Sequence, residues 1–143
     1  MLRMFSKACE YAIKIMIYIA ANGEKGKRTG LKEVTEAIDS PEAFTAKILQ
    51  QLVKSRLLDS FKGPTGGFEL ASNAEIRLID IVSAIDGDGL LENCVLGLSS
   101  CSSRNPCPVH DKFISIRNQL KETLLSTDIK DKDLLKDTKK LKA

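Results

Sequence analysis

The 143-residue chain contains no tryptophan, one histidine, and only 5% aromatic residues. Its interior must therefore be built from Leu, Ile, Val and Ala. A single histidine and no evident pair of buried carboxylates leave little material for acid–base catalysis. No apolar run approaches the roughly 18 residues of a membrane span. The apolar segment "YAIKIMIYIAA" is broken by Lys14 and lacks a small-residue cleavage pattern after it, so it does not read as a signal peptide. A cytoplasmic location follows as the expectation, and a disulfide framework is not expected there. Four cysteines are present, yet no two stand in a C-x2-C pair. The net charge of +3 permits nucleic-acid binding without demonstrating it.

What is present begins with a helix. In "SKACEYAIKIMIYIAANG", Ala8, Tyr11, Ala12, Ile15, Ile19 and Ala20 recur at spacings of three and four, and Gly23 is a natural stop. After the polar loop "EKGKRTG", the segment "LKEVTEAI" makes two helical turns with Leu31, Val34 and Ile38 on one side. Ser40 then offers a cap, Pro41 a first helical position, and Glu42 a charge suited to the positive helix end. The helix that follows turns Phe44, Ile48, Leu49 and Leu52 inward. Two helices joined by a tight polar turn make a helix-turn-helix candidate, although an αα-hairpin in any bundle has the same outline.

The next residues favour the first of these. "LLDSFKGPTGGFELA" switches from helical to two-residue periodicity on either side of "GPTGG", which only a turn accommodates. Helix, helix, β-hairpin is the order of a winged helix-turn-helix. The expected fold is mainly α with this small β-hairpin wing, followed by a long C-terminal dimerisation helix. The candidate DNA contacts are Ser40, Glu42, Thr45, Lys47 and Gln50 at the helix-turn-helix and Lys62 and Thr65 on the wing. Lys47 and Gln50 carry donors for base edges, and Lys62 is placed for a phosphate or the minor groove.

"AEIRLIDIVSAIDG" is a further helix, with Leu78, Ile79, Val82 and Ile85 inward and Gly87 as its stop. The stretch "CVLGLSSCSSRNPCPVH", residues 94 to 110, then gathers three cysteines and the only histidine into a loop. The last long helix carries Phe113, Ile116, Leu120 and Leu124 in a nearly heptad row, which suits pairing with a second chain. Packing on the first helix is the other use of such a row. Four regions result: a DNA-binding domain over 1–87, a cysteine-rich loop over 88–110, a dimerisation helix over 111–127, and a charged, partly disordered tail over 128–143.

"LVKSRLLDSFKGPTGGFELA" followed by "IRLIDIVSAIDG", together with the start "SKACEYAI", resembles the iron–sulfur-responsive winged-helix regulators of the IscR/NsrR group of bacterial transcription factors. The likeness covers about residues 5 to 126. Lys62 stands where that group usually has arginine, which keeps the charge and loses the planar fork. "SRL" at 55–57 replaces a more common Ala-Gly-Leu. The resemblance implies a homodimer on a pseudo-palindromic operator in double-stranded DNA, with Cys94, Cys101 and Cys107 holding an iron–sulfur cluster. The spacing is Cys-x6-Cys-x5-Cys, and it leaves the cluster type open. His110 is the first choice for a fourth ligand, which favours a 2Fe–2S over a 4Fe–4S cluster. Glu10 is the alternative, since the resemblance to NsrR-like members implies a carboxylate reaching from the partner subunit; the third option is Cys9, although its type prefers a core position, or a small molecule.

Other readings stay open. A Cys3His set also describes structural zinc, although closed zinc sites usually bring close cysteine pairs. Metal-free thiols that pair under oxidative stress would fit the same loop. A nucleophile–base pair of Cys107 and His110 has no visible orienting partner or oxyanion donor, so no enzyme is expected. A protein-interaction module is the remaining class.

Overall fold

The computed structural model describes residues 4–72 and 75–142. Helix α1, Lys7–Glu24, starts on Ser6, whose hydroxyl accepts the Cys9 N–H at 3.0 Å. The backbone N–H of Ser6 donates to Asp86 at 2.9 Å, and its hydroxyl makes a second bond to the same carboxylate. The start of α1 is thereby tied to the last residue of the later helix Leu78–Asp86. The expected stripe of α1 is inside, with Ala12, Ile15 and Ile19 fully buried, and the helix runs one residue past Gly23.

Helices α2, Leu31–Ile38, and α3, Glu42–Lys54, form the helix-turn-helix. Between them Asp39 takes a left-handed conformation, φ 53°, a position that short polar side chains tolerate. Pro41, not Ser40, is the residue that precedes α3, so Ser40 does not cap that helix as expected. Its hydroxyl instead lies 2.5 Å from that of Thr45, which in turn donates to the Pro41 carbonyl at 2.7 Å. Phe44 is only half-buried and meets Tyr11 edge to face at 5.5 Å.

α3 ends in a Schellman motif: Arg56 N–H donates to Val53 and Leu57 N–H to Leu52. The left-handed residue this requires is Arg56, φ 63°. The chain then makes an antiparallel hairpin of β1, Leu58–Phe61, and β2, Gly67–Leu70, in the register Leu58–Leu70 and Phe61–Gly67. A side chain on Gly67 would strike the backbone of Thr29 at 2.9 Å. That close approach lets Thr29 and Phe68 exchange backbone hydrogen bonds, so the α1–α2 loop lends the wing a third, one-residue strand.

Helix α4, Leu78–Asp86, is shorter than its periodicity implied. The first residue of the expected helix, Ala74, lies outside the described residues. Residues 76–77 are extended because Arg77 bridges to Asp128: Leu78 N–H reaches the Thr127 carbonyl and Ile129 N–H reaches that of Ile76. Ile81 and Val82 are the buried residues of α4, whereas Leu78, Ile79 and Ile85 are half-buried. A one-turn helix α5, Gly89–Glu92, precedes the cysteine stretch, and α6, His110–Ser126, follows it.

The tail departs from expectation. Residues 128–142 return to α1 through helix α7, Lys132–Leu135, and a 3-10 turn, Thr138–Leu141. Ile129 is fully buried in the main core, and Leu135 and Leu141 pack against it. Charge alone made this segment look disordered; three apolar anchors at wide spacing hold it down. The main core thus spans α1 to α4 and the tail, while Cys9, Val82, Leu91 and Leu124 form a second, smaller cluster.

Candidate metal centre and nucleic-acid interface

The loop between α5 and α6 brings its three cysteines together. The sulfurs of Cys94, Cys101 and Cys107 all lie within 4.8 Å of one another. Cys94 and Cys107 are in contact at 3.6 Å, and Cys101 lies 3.6 Å from Nδ1 of His110. Small turns set this geometry. Gly97, φ 73°, donates its N–H to the Cys94 carbonyl, Ser102 and Asn105 exchange backbone bonds, and His110 N–H closes on the Cys107 carbonyl. Val95, Val109, Phe113 and Ile114 supply an apolar wall around the thiols, and Arg117 also lines the site. The Arg117 guanidinium donates to the carbonyls of Glu92 and Asn93, which fastens the residue before Cys94 to α6.

These surroundings separate the thiols chemically. The backbone N–H of Leu98, then that of Leu96 and the Cys107 and Cys101 thiols, hold the Cys94 thiol down at about 7 against its loss of water. At Cys101 the Cys107 N–H favours the thiolate, but loss of water and the neighbouring thiols outweigh it and push the value up. Three sulfurs converging beside an imidazole suit an ion or cluster that accepts thiolate and imidazole donors.

The other two proposed ligands stand apart from this site. Cys9 is fully buried, and that burial, followed by the Asp86 carboxylate, pushes its thiol up to about 12. A ligand must be a thiolate, so Cys9 belongs to the core. Glu10 is half-buried in the first turn of α1 and does not line the thiol pocket of its own chain.

At the helix-turn-helix, Glu42, Lys47 and Gln50 are exposed on one face of α3, and Lys62 and Thr65 are exposed on the wing. Ser40 and Thr45, both proposed as DNA contacts, are inside: Thr45 has no exposed surface and Ser40 only 8%. Their hydroxyls satisfy each other and fix the turn. Sequence reasoning missed Arg28. Its guanidinium stacks on Phe61 at 3.6 Å from the ring centre, and donates to the Thr65 carbonyl at 3.3 Å and to Glu69 at 3.4 Å. The alternation of Phe61 and Glu69 on one face of a hairpin was the only available signal. Glu33 was also missed. One of its oxygens accepts from Tyr18, Asn22 and Lys27, which holds α1, α2 and their loop as one unit. Burial opposes the charge on Glu33, and the three donors overcome it and lower its pKa.

No helix among the described residues is long and apolar enough to cross a membrane. A helix-turn-helix followed by a wing braced against it defines a winged-helix DNA-binding protein. The Rrf2 family model, described as an iron-dependent transcriptional regulator, matches residues 5–136, and the chain belongs to this family of transcriptional regulators. A putative HTH-type transcriptional regulator of Aquifex aeolicus is 32% identical over 131 residues, 90% of each chain. The HTH-type transcriptional regulator IscR of Cronobacter sakazakii is 27% identical over 120 residues, 83% of this chain and 72% of that one. Among solved structures, CymR, the global cysteine regulator of B. subtilis, superposes with a TM-score of 0.73 at 28% identity, covering 92% of this chain and 95% of its own.

Proposed function

We propose that this regulator is a cytoplasmic homodimer whose grip on promoter DNA is set by an iron–sulfur cluster held on Cys94, Cys101 and Cys107, with His110 as fourth ligand. The observation that carries the reading is the convergence of three thiols within 4.8 Å, with the imidazole beside Cys101. A 2Fe–2S cluster is the form that this mixed donor set favours. Bound there, a cluster supplies a tie that oxidants, nitric oxide or iron shortage can break.

The protein's own residues carry the consequence outward. His110 is the first residue of α6, and Arg117, two turns along, holds the carbonyls that precede Cys94. A change at the thiols therefore pulls on both ends of the loop and on α6. In a single chain, Phe113 is 39% and Ile116 60% exposed, while Leu124 is buried. The exposed first half of this row is what a second copy of α6 would cover. Two-fold pairing presents two α3 helices to half-sites one DNA turn apart, so a small tilt of α6 alters their fit. Glu42, Lys47 and Gln50 face the major groove in this arrangement, and Lys62 and Thr65 meet the backbone or minor groove.

Anaerobic assembly with iron and sulfide tests the site. A coloured protein is expected, with iron and sulfide in equal number, and each of Cys94→Ala, Cys101→Ala and Cys107→Ala should abolish the colour. His110→Ala should keep a cluster with an altered spectrum. If Glu10→Ala removes the cluster and His110→Ala leaves it untouched, the fourth ligand is the carboxylate from the partner subunit. A colourless protein that binds zinc, or no metal, refutes the cluster.

A further inference from the structure

We propose that Cys94 and Cys107, when their thiols hold no metal, are a disulfide-forming pair that hydroperoxides close within one chain. This goes beyond the cluster reading and concerns the chemistry of the empty site, so it does not depend on which cluster the protein carries.

Geometry selects the pair. The Cys94 and Cys107 sulfurs are already in van der Waals contact at 3.6 Å. A disulfide requires about 2.05 Å, so closure needs a movement of roughly 1.5 Å. The intervening chain allows it, since residues 95–100 and 102–106 are all exposed, and Val95 is the one among them that lines the thiol site. Cys94 is held by the amides of its own loop, Leu96 and Leu98, which can travel with it, whereas Cys101 is tied to the segment that starts α6. The Cys101 sulfur accepts the Cys107 N–H at 3.4 Å and lies against His110 Nδ1 at 3.6 Å, contacts that leaving for a disulfide would break. Cys9 is sealed in the core behind Val82, Leu91 and Leu124 and is out of reach.

The chemistry balances with the peroxide as oxidant. One of the two sulfurs attacks a peroxide oxygen as its thiolate; the O–O bond breaks and the alcohol leaves with a proton, giving a sulfenic acid. The second sulfur then attacks the first, the S–O bond breaks, and water departs with the remaining proton. Two thiols and one hydroperoxide become one disulfide, one alcohol and one water. The product has lost two of its three thiolate ligands, so an oxidised chain cannot take up a cluster until it is reduced. The bond would also join the second residue after α5 to the segment before α6, next to the place where Arg117 of α6 already holds the Asn93 carbonyl.

The test uses the full-length protein, stripped with a chelator under nitrogen and treated with cumene hydroperoxide. The intact mass should fall by two hydrogen atoms and recover with dithiothreitol. Proteolytic mapping should show the peptide of Cys94 joined to that of Cys107 in the same chain. Cys101→Ala should still form the link, and Cys94→Ala and Cys107→Ala should not. The oxidised protein should take up no iron and sulfide before reduction. A link through Cys101, a link between two chains, or a gain of oxygen without any link would each overturn the proposal. If the reduced protein never takes up iron and sulfide, the cluster reading fails, and the peptide map still decides the disulfide on its own.

Discussion

The guanidinium of Arg28 lies 3.6 Å from the ring centre of Phe61, and so clamps the wing to the loop between α1 and α2. The same group reaches the Thr65 carbonyl in the hairpin turn. Arg28→Gln should therefore let the wing swing. Binding to operator DNA should weaken about fivefold, the factor equivalent to roughly 1 kcal/mol for a stacked cation. The salt dependence of binding should stay as it was, because the number of phosphate contacts is unchanged. Lys62→Ala at the wing tip should behave in the opposite way and flatten that slope by about one unit. A salt titration of both variants separates support from contact, and a flattened slope in Arg28→Gln would make Arg28 itself a DNA ligand.

Arg56 occupies the left-handed position of the Schellman motif that ends α3, and it is exposed. An L residue there costs about 1–2 kcal/mol, part of which glycine would forfeit through the greater freedom of its unfolded chain. Arg56→Gly should raise stability by about 0.5–1 kcal/mol, seen as a higher urea midpoint at constant slope. A lower midpoint would mean that the arginine makes a stabilising contact through its side chain.

Alkylation of the metal-free protein should find Cys94 first. The amides of Leu98 and Leu96 hold its thiolate down to about 7, while Cys101 is pushed the other way. Modification of Cys94 by iodoacetamide should reach half its maximal rate near pH 7, with Cys101 reacting only in more alkaline buffer. The sign for stability follows. A depressed acid favours the folded loop above its ordinary range and loses that advantage as pH falls through about 7. Peptide mapping after short exposures across a pH range of roughly 5.5 to 9.5, which brackets the ordinary and shifted thiol values, checks the order. Equal rates at Cys94 and Cys101 would show that the loop amides do not act on the sulfur.

Ile129 should matter as much as a residue of α1. It is fully buried in the main core although it stands in a run of charges. Ile129→Ala should cost about 2–5 kcal/mol of unfolding free energy, the usual range for a buried isoleucine. Thermal or urea unfolding measures it, and a loss near zero would mean that the tail is held by its charges alone.

The helix-turn-helix and wing were legible because their signals are local. Ile15 and Ile19 on α1, Ile48 and Leu52 on α3, and the glycines after Pro64 each act through their own neighbourhood in sequence. The cysteine triad was legible by density, and the structure brings it together with His110. What was missed depends on distant partners. Ser40 and Thr45 look like surface hydroxyls until each is seen to satisfy the other. Arg28 is one cation in a loop until Phe61 and Glu69 arrive from far along the chain. Residues 76–77 have helical periodicity but are drawn straight by a bridge to Asp128. The heptad row implies a seam through Phe113 and Ile116, and a single chain leaves that surface open.

The pairing of residues 76–78 with 127–129 makes the DNA-reading head a unit assembled from both ends of the chain. Residues 1–87 on their own would lack Ile129, Leu135 and Leu141 and would expose the apolar surface those side chains now cover. The head therefore cannot be lifted out and grafted elsewhere as a contiguous module. Exchange of parts with other regulators by recombination would have to carry the cysteine loop along, because the gene encodes it between two contributors to one core.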